Sequence, residues 1–255
     1  MKKHDFFERT ALEGDAKIRR RTFFSFITFA VASATGIAGW KWLNHQPQQA
    51  GALQPLRKTL ETNEKILTST FSEHRLVKTY PKSAAVKNVR VNSLIGTKEN
   101  VDINAWRLHV QKKDGSTALF SLDDIKKLPK KDLVFDFKCV EGWSQIQYWS
   151  GVPLKDFITA NGLQNEATMQ YIGLQTPDKK YYVGLDMQSA LHPQTMLCYE
   201  MNGQPLTQLH GYPLRLIVPV KYGIKNLKCI GTMYFSNQKP PDYWAERGYD
   251  YYAGL

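Results

Sequence analysis

The longest apolar stretch in the chain runs from Thr22 to Trp40, 19 residues without a charge and without an interrupting polar face. A helix of that length reaches about 28 Å at about 1.5 Å per residue, close to the hydrocarbon thickness of a bilayer. The pattern predicts a membrane-spanning helix over 22–40 behind a basic N-terminal segment, 1–21. Trp40 and Trp42 then stand where interfacial aromatics belong. Residues 41–87 are polar, with Gln46-Pro47-Gln48-Gln49 near their start, and read as a linker carrying one short helix.

From Val101 the period changes. Val101–Gln111 alternates, Asp114-Gly115 marks a turn and Thr117–Phe120 resumes the alternation, which predicts a hairpin. Ser121 followed by Asp123 and Asp124 is an N-cap signature for a short helix ending near Pro129. Leu133–Cys139 predicts a strand with Leu133, Phe135, Phe137 and Cys139 on one face, so that Cys139 ends it on the apolar side. A helix over Pro153–Ala160 is closed by Asn161-Gly162, a helical turn lies at Asp186–Leu191 and a turn at Asn202-Gly203. Further strands are predicted at Met169–Gln175, Tyr181–Leu185, Leu214–Val218 and Leu227–Phe235. Strands outnumber helices without regular βα alternation, which is the pattern of an α+β domain, here placed over 88–255.

Composition narrows the options. With 42% hydrophobic and 12% aromatic residues, 255 residues supply one sizeable globular core plus a leader. Of the formal charge of +11, the eight Lys/Arg and four Asp/Glu up to Lys41 account for +4, leaving +7 for the rest. No nucleic-acid-binding motif accompanies that excess, and a buried polyanionic cofactor is another outlet for it. Cys139, Cys198 and Cys229 form no CxxC or CxxCH, too few thiols for a four-ligand iron–sulfur cluster. A Cys198–Cys229 disulfide stays open. Lys/Arg excess ahead of the apolar run keeps the N-terminus in the cytoplasm. Arg20-Arg21-Thr22-Phe23-Phe24 has the form of a twin-arginine export signal, and Ala32-Ser33-Ala34 that of a cleavage site. An uncleaved anchor on the inner membrane and a cleaved periplasmic signal both fit, the anchor better.

Two blocks carry candidate chemistry. The first is Cys139-Val140-Glu141-Gly142-Trp143 followed by Trp149-Ser150-Gly151-Val152-Pro153-Leu154. A cysteine at a strand end before a glycine turn either sits buried for structure or offers a thiolate to a soft metal. The second runs from His192-Pro193 through Gly211-Tyr212-Pro213-Leu214-Arg215-Leu216-Ile217-Val218-Pro219 to Lys221-Tyr222-Gly223-Ile224-Lys225-Asn226-Leu227-Lys228. Arg215 in an apolar strand requires either a salt bridge or an anion. Lys221, Lys225 and Lys228 converge on a glycine-bearing loop, solvated or facing a phosphate.

Together these blocks resemble the molybdopterin-binding domain of the sulfite-oxidase superfamily, a mixed-sheet α+β fold. Within it they are nearest the catalytic subunits of periplasmic protein-methionine-sulfoxide reductases. The likeness covers about residues 88 to 250. It implies one pterin per molybdenum, with Cys139 on the metal, and a cradle of Asn92, Thr176, His210, Arg215, Asn226, Leu227 and Lys228. His210 stands where the sulfoxide-reducing branch has asparagine, and the residues after Asn92 depart from that branch's pattern. Glu141 replaces a base that helps sulfite-oxidising members hold a dianion; it is either a proton relay or an exposed turn residue. The resemblance implies oxygen-atom transfer that reduces an S-oxide, a small sulfoxide or protein-bound methionine sulfoxide, with electrons from a membrane haem or quinone-linked protein. Nucleic acid is not expected as a partner. The sequence stops before a β-sandwich dimerisation domain, which implies a monomeric catalytic unit. The rival enzyme reading is a sulfite dehydrogenase, and the rival of another class is a metal-free, membrane-tethered binding domain.

Overall fold

The computed structural model describes residues 3–97 and 101–255, with side chains from Asp15 onward. Met1, Lys2 and the side chains up to Gly14, in the expected N-terminal segment, and residues 98–100 of the expected domain lie outside the described part. The chain divides into two units, one holding residues 1–49 with 53–56 and the other 50–52 with 57–255.

In the first unit a single helix, α1 (Lys3–Asn44), contains the predicted apolar run. Its stretch Asp15–Asn44 is long and apolar enough to cross a membrane, and none of that stretch is buried. Phe23, Phe26, Phe29, Trp40 and Trp42 are all exposed. The same length and composition would serve an anchor or an export signal.

The remaining helices are α2 (Gln54–Ser69), α3 (Leu122–Lys126), α4 (Leu154–Ala160) and α5 (Met187–Ala190). The strands are β1 (Leu108–Gln111), β2 (Thr117–Phe120), β3 (Lys131–Lys138), β4 (Ser144–Pro153), β5 (Tyr171–Gln175) and β6 (Tyr182–Asp186). They continue with β7 (Met196–Met201), β8 (Gln204–Pro205), β9 (Arg215–Ile217) and β10 (Thr232–Ser236). One sheet has the order β8-β7-β4-β3, with β9 also on β7, all antiparallel. The other, β2-β1-β10-β5-β6, is mixed, because β10 runs parallel to β1. Ser121 caps α3 in the predicted way: its Oγ accepts from the Asp124 amide at 3.1 Å while Asp124 accepts in return.

The main core lies where Val152, Leu197 and Leu216 of the first sheet meet Leu108, Ile172, Leu174, Val183 and Met233 of the second. The opposite face of the first sheet carries a smaller cluster of Leu133, Phe135, Phe137, Trp149, Met196, Cys198 and Ile217. Alternation along β9 follows: Leu216 joins the main core while Arg215 and Ile217 turn to the second cluster. Cys198 and Cys229 are separate free thiols, so the disulfide left open by the sequence is absent.

Residues 57–87 are not a free linker. Arg57 of α2 is buried, Lys239 pairs with Glu64 at 2.7 Å, and Val77 exchanges two hydrogen bonds with the Gln194 side chain. Thr79 bridges Phe135, and the Tyr80 amide donates to Val134 O at 3.0 Å, so the segment covers the open edge of β3. The polarity that suggested a tether belongs to the outer face of a strap whose backbone is paired.

Candidate active site

A cavity of ≈ 290 Å³ opens where β3 ends, where the 222–228 loop turns and where residues 89–95 pass over both. Cys139 begins the β3–β4 turn: its amide donates to Trp143 O at 3.0 Å, and the Gly142 amide donates back to Cys139 O at 3.1 Å. Gly142 holds φ +85, a conformation that tolerates few side chains, so the reversal completes within five residues. This turn aims the sulfur of Cys139, 5% exposed, into the cavity wall. Burial pushes the thiol pKa up, and the Glu141 charge adds to that.

Glu141 itself is half exposed at the rim, with its side chain committed. Trp143 Nε1 donates to it at 2.9 Å and Asn92 Nδ2 at 3.3 Å, while the Arg90 guanidinium stands 3.9 Å away. Those two hydrogen bonds, the Trp143 one foremost, draw its pKa down, which favours the carboxylate form. Asn92 Nδ2 also lies 3.6 Å from Cys139 Sγ, bridging the acid and the thiol.

Arg215 is the most costly group in the site. It is 6% exposed, Nη1 donates to His210 O at 3.1 Å, and Nε has no partner. Its guanidinium lies over the Trp149 ring at 4.6 Å and the Phe137 ring at 5.8 Å. Burial draws its pKa from 12.5 down to about 10, which leaves it charged and uncompensated at neutral pH. A buried cation with a spare donor on a cavity is a seat for an anion.

The three lysines separate. Lys225 is fully buried and bonds Asp242 and Gly184 O; Lys221 pairs with Asp186 at 3.2 Å. Both are drawn into the protein, so for Lys221 and Lys225 neither the solvated nor the phosphate-facing alternative holds. Lys228 borders the cavity, but its ammonium donates to Asn92 O at 2.8 Å, Ser93 O at 2.9 Å and Leu209 O at 2.9 Å. An ammonium has only three donors, so Lys228 staples the overlying segment. Burial pushes its pKa down to about 7, while the three carbonyls favour the charged form.

Of the residues expected at the site, Asn92, Cys139, Glu141, Arg215, Asn226 and Lys228 line the cavity. Asn226 does so with its amide engaged, Oδ1 accepting from Val218 N at 2.7 Å and Nδ2 donating to Tyr222 O at 3.1 Å. Thr176, His210 and Leu227 do not line it. Thr176 is fully buried and its hydroxyl is taken up by Asp178 at 2.6 Å and by Tyr181. Leu227 is core, its carbonyl accepting from the Leu216 amide at 2.9 Å. His210 bridges Thr207 and Val89 O with its two ring nitrogens, at 2.8 and 3.2 Å, and burial lowers its pKa. It therefore acts on the cavity indirectly, holding Arg215 through its carbonyl and the 89–95 segment through its ring.

Several lining residues escape sequence reasoning: Val89, Arg90, Gln147, Tyr181, Trp244 and Tyr249. Arg90 stacks on Trp143 at 4.9 Å. The 89–95 segment belongs to no strand, so no period marks it; the signal is the set of side chains that satisfy its carbonyls. Gly223 was legible: a Cβ there would meet the Phe137 ring at 2.9 Å, so only glycine lets the loop approach the end of β3.

Among the described residues no three His, Cys, Asp or Glu side chains gather to hold a metal ion. A metal at Cys139 must therefore bring most of its own ligands, and a thiol that shares its cavity with a buried guanidinium whose Nε is unpartnered suits a metal carried by an anionic organic group. The family profile described as oxidoreductase molybdopterin binding domain matches residues 95–244. YedZ1 of Azospira oryzae, assigned by its name to a protein-methionine-sulfoxide reductase, is 37% identical over 186 residues, 72% of this chain and 70% of its own. The catalytic subunit MsrP of the protein-methionine-sulfoxide reductase of Ralstonia nicotianae is 33% identical over 59% of this chain and 50% of its own. Among solved structures, the sulfane dehydrogenase SoxCD of Paracoccus pantotrophus aligns with TM-score 0.49 and 19% identity, over 66% of this chain and 46% of that one. The chain belongs to the oxidoreductase molybdopterin-binding domain family. It is a molybdenum oxidoreductase, with molybdopterin as its cofactor.

Proposed function

We propose that this chain is the catalytic subunit of a membrane-anchored enzyme that reduces an S-oxide, methionine sulfoxide foremost, with electrons from a membrane haem or quinone-linked partner. Both relatives compared above are named as subunits of a protein-methionine-sulfoxide reductase, the second as its catalytic subunit. The observation that carries the reading is that Cys139 and Arg215 line one cavity: a thiol at a strand end and a buried guanidinium with an unpartnered Nε. When bound, the molybdenum cofactor supplies the positive charge that ionises the thiol and the two-electron exchange that accompanies oxygen-atom transfer. Cys139 is the metal ligand, and Arg215 holds the anionic part of the cofactor. Asn92 orients the thiol side, while Lys228 and His210 fix the segment that carries Asn92.

Glu141 selects the substrate by charge. Its carboxylate at the rim disfavours a dianion and tolerates a neutral sulfoxide. Its depressed pKa disfavours the proton-relay role. The second reading, a sulfite dehydrogenase, draws on Arg90, a partly exposed guanidinium at the same rim. Arg90 faces Glu141 and stacks on Trp143, which leaves less of its charge for an anion. Reduced dye with sulfoxides against oxidised dye with sulfite separates the two. Turnover with sulfite alone would reject the reductase reading.

The anchor reading rests on α1. Its basic residues Arg19, Arg20 and Arg21 before the apolar run favour a cytoplasmic N-terminus and a periplasmic catalytic domain. Anchoring keeps the site near an electron donor in the same membrane, raising effective concentration without new affinity.

A further inference from the structure

The wall of the cavity formed by Trp244 and Tyr249 is carried on a short turn, Ala245–Arg247, closed by Gly248 at φ +97. The two rings meet edge to face at 5.1 Å, and the Tyr249 amide donates to Trp244 O at 3.1 Å. From the sheet side, Asp242 holds this turn by accepting from Ala245 N at 3.0 Å while also bonding Lys225.

The other side of the turn is held by residues that come soon after α1 in the sequence. Arg57 is 6% exposed and donates to Ala245 O at 2.7 Å, Tyr249 O at 3.0 Å and Ala50 O at 2.6 Å. One planar fork thus ties both ends of the wall turn to the chain at Ala50. Beside it, a Cβ on Gly51 would come within 2.6 Å of Arg247 C and 2.7 Å of Gly248 N, so the two backbones are in direct contact. Burying a guanidinium costs several kcal/mol unless its donors are used. Here they are used on carbonyls of the cavity wall, not on the cavity itself.

We propose that Arg57, with Gly51, is a positioning residue of the active site: it sets where the Trp244–Tyr249 wall stands, and thereby the shape of substrate access. Ala50, Gly51 and Arg57 are then part of the catalytic apparatus. The inference rests on reading the cavity as the catalytic site.

The test uses the full chain in detergent, with and without its cofactor, carrying Arg57→Lys, Arg57→Ala or Gly51→Ala, each also in a Trp244→Phe background. Lysine keeps the charge but lacks the fork. Amide exchange at 245–249 is expected to quicken about tenfold in Arg57→Ala, as loss of a charge-assisted bond implies, with the sheet strands unchanged. Arg57→Lys should fall between it and the parent. Acrylamide quenching of tryptophan should rise, and the rise should vanish in the Trp244→Phe background. KM for methionine sulfoxide should increase while kcat stays within about twofold. Unchanged exchange at 245–249, or exchange raised uniformly across the domain, would overturn the proposal. If Arg57→Ala fails to fold, Arg57→Lys and Gly51→Ala give the same readouts. Exchange and quenching that respond in a protein that never turns over a sulfoxide would retain the clamp and reject the catalytic reading.

Discussion

At Cys139, Glu141 and Arg215 three different environments meet in one place: a thiol kept from water, a carboxylate favoured in its ionised form by two hydrogen bonds, and a cation buried with a donor to spare. Each leads to a distinct expectation. Cys139→Ser keeps the volume and the turn, so the thermal midpoint should move by only a few degrees while molybdenum retention and turnover are lost; metal analysis beside a melting curve checks it. Arg215→Met removes an uncompensated buried charge, so the cofactor-free protein should melt at the same or a higher temperature, as buried charges replaced by hydrophobes often do. The same variant should fail to retain molybdopterin, and a clear loss of apo-protein stability would show that Arg215 is structural. Glu141→Gln should leave kcat/KM for a neutral sulfoxide within about twofold, weaken the discrimination against a dianion such as sulfite, and leave the shape of the pH profile unaltered. Loss of a limb of that profile would restore the proton-relay role.

Among the elements, those with an audible period were legible and those held by side chains were not. The β1–β2 hairpin, the capped α3, α4 and the β5–β6 pair follow from alternation and capping, although β1 begins at Leu108 and not at Val101. The longest strand, β4, went unread because it is buried on both faces from Trp149 to Pro153, where Ser150 and Gly151 interrupt the apolar run, and carries Gln145 and Gln147 ahead of it, so no period of two appears. In the last predicted strand, Leu227–Phe235, only Thr232–Ser236 is extended; the preceding residues spend their backbone bonds on Gly211, Leu214 and Gln175. The site was legible in its motifs, Cys139, Arg215 and Asn226, and illegible in the 89–95 segment. That segment is held by Lys228, His210 and the Gln145 side chain, which accepts from the Arg90 amide at 3.0 Å. Lys228→Met leaves three carbonyls without their donor and should cost about 2–3 kcal/mol, with faster amide exchange confined to residues 89–97.

For the whole molecule, pH acts through buried imidazoles. His192 and His210 both have pKa values lowered by burial below 6.5, and Arg215 and Lys228 beside His210 add to its shift. The unfolded chain therefore binds protons that the folded chain refuses in the window just below pH 6.5, so stability falls as pH drops through it. His210→Gln should flatten that fall in a series of melts between about pH 7 and 5; an unchanged slope would show that His210 does not contribute.

Because Thr79 and Tyr80 pair with Phe135 and Val134, the middle of β3 is covered on that side. A protein truncated at residue 88 would keep every motif of the cofactor site and still present an unprotected strand edge backed by Phe135 and Phe137. Such a fragment is expected to self-associate edge to edge, and its insolubility would say nothing about catalysis. The working boundary of the enzyme, for evolution as for the bench, lies upstream of α2.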